Sequence, residues 1–191
     1  MAFSWRIPLY DNFLAGSMKL SPVRAFHSST MKSGFEASKC IDGITNGPDT
    51  TDLCQTKAEM APWLAISFGE LKLVSVEKVF IFNVLRYVRG MGKTKDLIIW
   101  VADELPESAE DMFTGGEAAG GRFGLLPEGR NMDYVGSLPG WEKRLGRYLI
   151  IQMDNRKSSP FSPMSLNLKE VIAYGITHVT GTSHFIDAYL F

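Results

Sequence analysis

The sequence predicts an all-β chain, an antiparallel β-sandwich or jelly roll, and three observations carry that expectation. Short runs rich in β-branched and aromatic residues recur along it, as in 74–84 (VSVEKVFIFNV) and 96–101 (DLIIWV). Clusters of Gly, Pro, Asn and Asp punctuate those runs. No long helical stripe appears. At 191 residues, 45% of them hydrophobic, the chain suffices for one domain with a sizeable core plus extensions.

Taken in order, residues 1–21 are an apolar and aromatic flank without a sustained period, and 23–33 reads as an extended entry strand. Residues 37–56 (ASKCIDGITNGPDTTDLCQT) read as one tightly turned loop with neither helix nor strand. Asp42-Gly43 and Asn46-Gly47-Pro48 are turn signals, while Asp49, Asp52 and the threonines gather oxygen ligands. A strand follows over 63–68, and 74–84 is the strongest strand, with Val74, Val76, Val79 and Ile81 on varying faces. Then come a basic loop, 86–95, and a buried-type strand, 96–101. Residues 105–140 are glycine-rich loop with one short strand around Tyr134-Val135. Strands over 147–153 and 166–174 close the system, the second ending at Gly175. The tail, 176–191, is again apolar and aromatic. The predicted organisation is an N-terminal extension 1–21, a sandwich 22–175 and a C-terminal extension 176–191.

Charge and composition exclude several classes. Twenty basic against 21 acidic residues leave a net charge of −1, so no global field recruits nucleic acid or an anionic membrane. No apolar run approaches the ~18 residues of a transmembrane helix. Arg6, Pro8, Asp11 and Asn12 break any signal-peptide core, so the expectation is a mature chain or one not secreted by that route. Two cysteines are too few for a disulfide scaffold, and Cys40 and Cys54 either pair or stay as free buried thiols.

The chemistry-bearing patterns are few. Gly90-Met91-Gly92-Lys93-Thr94 resembles the end of a phosphate-binding loop, but Tyr87 occupies the first glycine position and a strand follows instead of a helix. Arg86, Tyr87, Arg89, Lys93 and Lys95 form a basic-aromatic cluster, either a solvated hairpin tip or a contact surface using forked hydrogen bonds and ring stacking. The glycine-rich run 114–124 reads as a surface loop. His178 and His184 lack an acidic neighbour, Glu107, Glu110 and Asp111 sit in a polar stretch, and no G-x-S-x-G elbow is present. The chain does not read as an enzyme.

A family resemblance rests on an ordered set of pieces. These are Ser33-Gly34-Phe35-Glu36-Ala37-Ser38-Lys39 leading to Ile41-Asp42-Gly43, then Pro62-Trp63-Leu64, Phe68-Gly69-Glu70-Leu71 and Val74-Ser75-Val76. Later come Gly146-Arg147-Tyr148-Leu149, Leu168-Lys169-Glu170-Val171 and Ala173-Tyr174-Gly175. Together, over residues 22–175, they resemble the discoidin (coagulation factor 5/8 type C) domains and the F-type lectins. The resemblance implies a discoidin-like jelly roll of the galactose-binding-like class, with binding loops at one end. It also implies a family binding glycans, lipids or protein surfaces without catalysis, with cell adhesion among its settings.

By the same resemblance, the turn after Asp42-Gly43 would hold a structural Ca2+. Its ligands would be the Asp42 carboxylate, the carbonyls of Lys39 and Ile44, and oxygens from around Asp52-Leu53 and from Glu170, a set that suits calcium's need for six to eight oxygens. The bland alternative is that Asp42 caps its turn and Glu170 is a solvated strand residue. The lectins' sugar-binding His falls here at Gln55-Thr56, the first Arg position is Val84, and the Asp position lies near Arg86. His27 comes too early in the chain to stand in. Fucose recognition by the lectins' own mechanism therefore does not carry over. The lectins' cysteine before the closing Glu is Lys169, which removes the usual partner of Cys54.

The leading expectation is a calcium-stabilised, lectin-like recognition module. It would contact a glycan through Arg86, Tyr87, Arg89, Lys93 and Gln55, outside the cell or at its surface. The second is an assembly protein using the sandwich and its terminal arms for protein–protein contacts, as a homo-oligomer or part of a larger complex. Intracellular members of the fold class, such as a small subunit of intraflagellar transport, make an intracellular or ciliary scaffold part of that second reading.

Overall fold

A computed structural model of the chain describes residues 17–48, 51–84, 97–105, 133–137, 144–153 and 163–179. Among the described residues, nine strands form two antiparallel sheets. They are β1 Met18–Lys19, β2 Arg24–His27, β3 Cys54–Gln55, β4 Trp63–Ser67, β5 Lys72–Asn83, β6 Leu97–Ala102, β7 Asp133–Ser137, β8 Tyr148–Met153 and β9 Asn167–Val179. One sheet runs β1-β9-β5-β7, with β3 also paired to β9; the other runs β2-β4-β8-β6. The all-β sandwich read from the sequence is the fold observed.

The main core lies between the sheets, where Leu64 and Ile66 of β4, Ile99 of β6 and Leu149 and Ile151 of β8 face Val76 and Ile81 of β5. A second apolar cluster occupies the opposite face of the four-stranded sheet. Ala65, Ile98, Trp100 and Ile150 are buried there against Phe26, Trp63 and Tyr148. Burial on both faces explains why β6 and β8 read as continuous apolar runs without alternation.

The varying phase of Val74, Val76, Val79 and Ile81 also has a physical cause. All four are buried in the main core, and the pairing with β9 shifts between Val76 and Lys78. The extra residue, Glu77, forms a bulge that brings Val79 and Ile81 back onto the inner face.

Several boundaries differ from the expected ones. The 37–56 segment is not wholly irregular: Ala37–Cys40 form a 3-10 helix and Cys54–Gln55 pair with β9. The entry strand is the short Arg24–His27, not 23–33. Met18 and Lys19 pair with Gly175 and Tyr174, and β9 continues to Val179 opposite Lys72. Sheet residues therefore extend past both ends of 22–175. Gly175 is not a stop but a close-approach position, since a Cβ there would lie 1.9 Å from the Ser75 carbonyl oxygen.

Candidate functional site

The 41–53 loop leaves the core at Cys40 and returns at Cys54, and the two cysteines form a disulfide with Cα atoms 5.4 Å apart. That resolves the two states left open by the sequence: among the described residues there are no free thiols. Gly43 sits in the left-handed region at φ +84°, as the Asp-Gly turn requires. Asp42 closes this turn on itself, its Oδ1 accepting the Ile44 N–H at 3.0 Å.

Two consecutive residues of β9 reach into this loop. Glu170 Oε2 accepts the Gly43 N–H at 3.1 Å, and Lys169 Nζ donates to the Gly47 carbonyl at 2.7 Å. Neighbouring strand residues ordinarily point to opposite faces. Here Phe82 pairs with Glu170 and Asn83 with Leu168, so the register shifts at Lys169, a bulge position whose side chain is re-aimed. Both side chains are buried, Lys169 at 1% exposure.

The expected cation ligands are thus divided. Asp42 and Glu170 come together, and burial, reinforced by the Asp42 charge, pushes the Glu170 carboxyl up to about 7 against the opposing Gly43 N–H bond. Lys39 Nζ stands 3.9 Å from Asp42 Oδ2, and Ile44 belongs to the same turn. Asp52 lies elsewhere: its carboxylate covers Gly47, where a Cβ would fall 2.0 Å from Oδ2. Among the described residues no three of His, Cys, Asp and Glu gather as a metal group. The Asp42–Glu170 pair is nevertheless what a hard cation would use, because a desolvated carboxylate beside a second one gains from a positive charge. A cavity of about 180 Å³ opens beside the pair, with Lys19 on its rim and Ile66 and Phe68 among its walls.

The other candidate region is the end of the sandwich where β5 finishes and β6 begins. Arg86, Tyr87, Arg89 and Lys93 lie outside the described residues. Gln55 is placed in β3 opposite Asn167 and is 3% exposed. Its N–H donates to the Phe35 carbonyl and its own carbonyl accepts the Met31 N–H. The 3-10 approach to the core therefore roofs this residue over. His27, set aside on chain order, ends β2 at this same end, and burial lowers its pKa so that it is neutral at pH 7.

A network that the sequence did not announce shapes the rest of this end. Ser28 and Ser29 hydroxyls both donate to Glu59 Oε1. In turn Ser28 Oγ accepts the Trp63 N–H at 3.1 Å and Ser29 Oγ the Lys57 N–H at 3.0 Å. Glu59 also bridges to Met164 through both backbone bonds. These contacts fix the 56–62 loop and leave Met31 and Met60 exposed beside it. The signal was faint: Ser-Ser and Glu lie 30 residues apart and belong to no motif.

No protein-family model matches the chain, and no curated protein matches it. Solved structures do. An F-lectin (fucolectin) from striped bass serum (Morone saxatilis) superposes with a TM-score of 0.63 at 20% identity, over 83% of this chain and 47% of that one. This chain thus spans about half that lectin's length. A Streptococcus pneumoniae fucose binding module gives 0.59 at 16% identity, covering 86% and 99%. A family 32 carbohydrate-binding module (CBM) from the C. perfringens protein NanJ, in complex with galactose, gives 0.52 at 14%, covering 83% and 98%. The fold they share with this chain is the discoidin-type, galactose-binding-like β-sandwich.

Proposed function

We propose that the chain is a non-catalytic recognition module that binds glycan at the end of the sandwich bearing the 56–62 loop and residues 84–96. The observation that carries this reading is the superposition, over four-fifths or more of the chain, on modules named for binding fucose, chitosan or galactose. Arg86, Tyr87, Arg89 and Lys93 supply the contacts, with guanidinium forks on sugar hydroxyls and a phenol ring on the pyranose face. Gln55 supports this end from beneath. The Cys40–Cys54 disulfide suits an oxidising compartment, outside the cell or at its surface.

Calcium belongs to the same proposal as a structural ligand. Asp42 and Glu170 would hold it by their carboxylates and Lys39 and Ile44 by their carbonyls, and the ion would supply charge neutralisation at the turn. Asp52 would add an oxygen from the far side of the loop, its carboxylate standing against Gly47.

A glycan array with galactose-, fucose- and chitosan-terminated probes tests the reading. Binding to at least one class, lost in the Arg86→Ala/Arg89→Ala double variant with the melting temperature unchanged, supports it. An array blank for the folded protein, with sedimentation showing self-association instead, sinks it. Calcium is tested separately by thermal unfolding, where a rise in melting temperature over the chelated protein is expected by mass action.

A further inference from the structure

Lys169 is the buried charge for which the recognition reading has no use. Its ammonium lies 2.7 Å from the Gly47 carbonyl, 122 residues earlier in the chain. A lysine at 1% exposure is costly to bury unless its charge is used. The backbone is shaped for that use, because the bulge at Lys169 breaks the β5–β9 register just where the side chain must turn toward the loop. The adjacent Glu170 takes the Gly43 N–H. One strand therefore grips an irregular loop at two points, a donor at one pole and an acceptor at the other.

We infer that Lys169 is an internal cation that forms the 41–48 part of the loop in advance, so that this stretch has its final shape without a metal. A loop rich in carbonyls and carboxylates gains from a positive charge that gathers its oxygens. In this loop the backbone bonds among the described residues lie at its two ends, where the Ile41 N–H donates to the Ser38 carbonyl and the N–H groups of Thr51 and Asp52 both return to the Pro48 carbonyl. Between them, the described bonds are the Asp42–Ile44 turn closure and the two grips from Lys169 and Glu170, and only the grips tie the turn to the sheet. Lys169 acts here as a positioning residue: it touches no ligand, and it sets where Asp42 and the Ile44 carbonyl stand. The inference does not rest on calcium binding. If an ion does bind, it enters a finished turn.

Hydrogen–deuterium exchange of the full chain, read over the 43–53 amides, separates the two ideas. The wild-type protein should show the same protection in chelator as in millimolar calcium. Lys169→Met and Lys169→Gln should exchange there at least about tenfold faster in chelator, the size expected for a charged hydrogen bond to a buried group. Lys169→Arg, which keeps the cation, should retain most of the protection. The Gln variant distinguishes charge from mere donation. An intact-mass measurement shows that the disulfide is retained, and circular dichroism shows that each variant is folded. Wild-type protection that appears only with calcium overturns the inference, as does a folded Met variant that exchanges like wild type. Should the Met and Gln variants not fold, the wild-type comparison decides alone. Calcium titration by calorimetry runs in parallel, and its failure removes the ion while leaving the Lys169 result standing.

Discussion

The 41–53 and 56–62 loops flank the short strand β3, and among the described residues neither contains a strand, yet they are fastened in different ways. The first is closed at its base by a covalent bond and gripped by two charged side chains from β9. The second is stitched by neutral and singly charged hydrogen bonds from serines of the β2 end, from Gln152 of β8 and from the bridge to Met164. A loop gripped by a disulfide and an internal cation depends on a few strong groups. A loop stitched by many weaker contacts loses order by degrees. The contrast places rigidity at the candidate ion turn and graded adaptability beside the candidate glycan surface.

The strongest way to break that contrast is to remove the covalent fastener. A Cys40→Ala/Cys54→Ala variant should lose about 3 kcal/mol in urea unfolding, the value for a closed loop of this length, the observed separation being 14 residues. Because Lys169 and Glu170 remain, the variant should still fold and keep its 41–53 protection at low denaturant. A chain that no longer folds would show that the side-chain grips depend on the disulfide.

The second loop offers the next largest effect. Gln152, fully buried, accepts the Trp100 indole N–H at 3.2 Å and donates to the Ala61 carbonyl. Ala61 itself stands at φ +51°, a conformation that alanine avoids. Gln152→Ala removes both hydrogen bonds from a buried site and should cost about 2 kcal/mol. Tryptophan emission should shift as Trp100 loses its partner. If stability is unchanged, Gln152 is not what holds Ala61.

Smaller again is the carboxylate at the surface of that loop. Glu59→Ala removes the acceptor shared by Ser28 and Ser29 and should cost about 1 kcal/mol, since the group is only half buried. Its signature should be local, with faster exchange of the Lys57 and Trp63 amides, whose acceptors are those same serines. Exchange accelerated over the whole sheet would make the network a global support instead.

These elements show what a sequence can and cannot disclose. Strands β4, β5, β6, β8 and β9 were legible because burial in a sheet writes itself as alternation or as apolar runs, whatever the partner. The limits of β9 were not, since Gly175 reads as a terminator unless the nearby Ser75 carbonyl is known. Asp42 and Glu170 could be paired only through a resemblance. Lys169 was legible as a residue of the closing strand, but its contact with the loop was not. Its partner is a backbone carbonyl, and every residue has one. The 56–62 network failed for the same reason, being built from hydroxyls and amides whose pairing exists only in space.

The last test concerns the pole of the first loop where Glu170 stands. Its carboxyl ionises near 4.5 in an unfolded chain and is pushed up to about 7 in the fold, mainly by burial. Between those values the folded chain holds a proton that the unfolded chain has released. Stability therefore falls as pH rises from about 4.5 to about 7, and levels off above that. Glu170→Gln should flatten this slope, because a neutral amide has no proton to lose. The Gly43 N–H and the nearby Lys19 favour the ionised form and limit the shift, while the Asp42 charge adds to it. Calcium, if it binds there, should stabilise the protein more at pH 8 than at pH 5, where it must displace the proton. Melting temperatures of wild type and variant across that range, with and without chelator, measure both terms. A slope that survives in the variant would assign the pH response to another group and leave Glu170 as a simple acceptor for the Gly43 N–H.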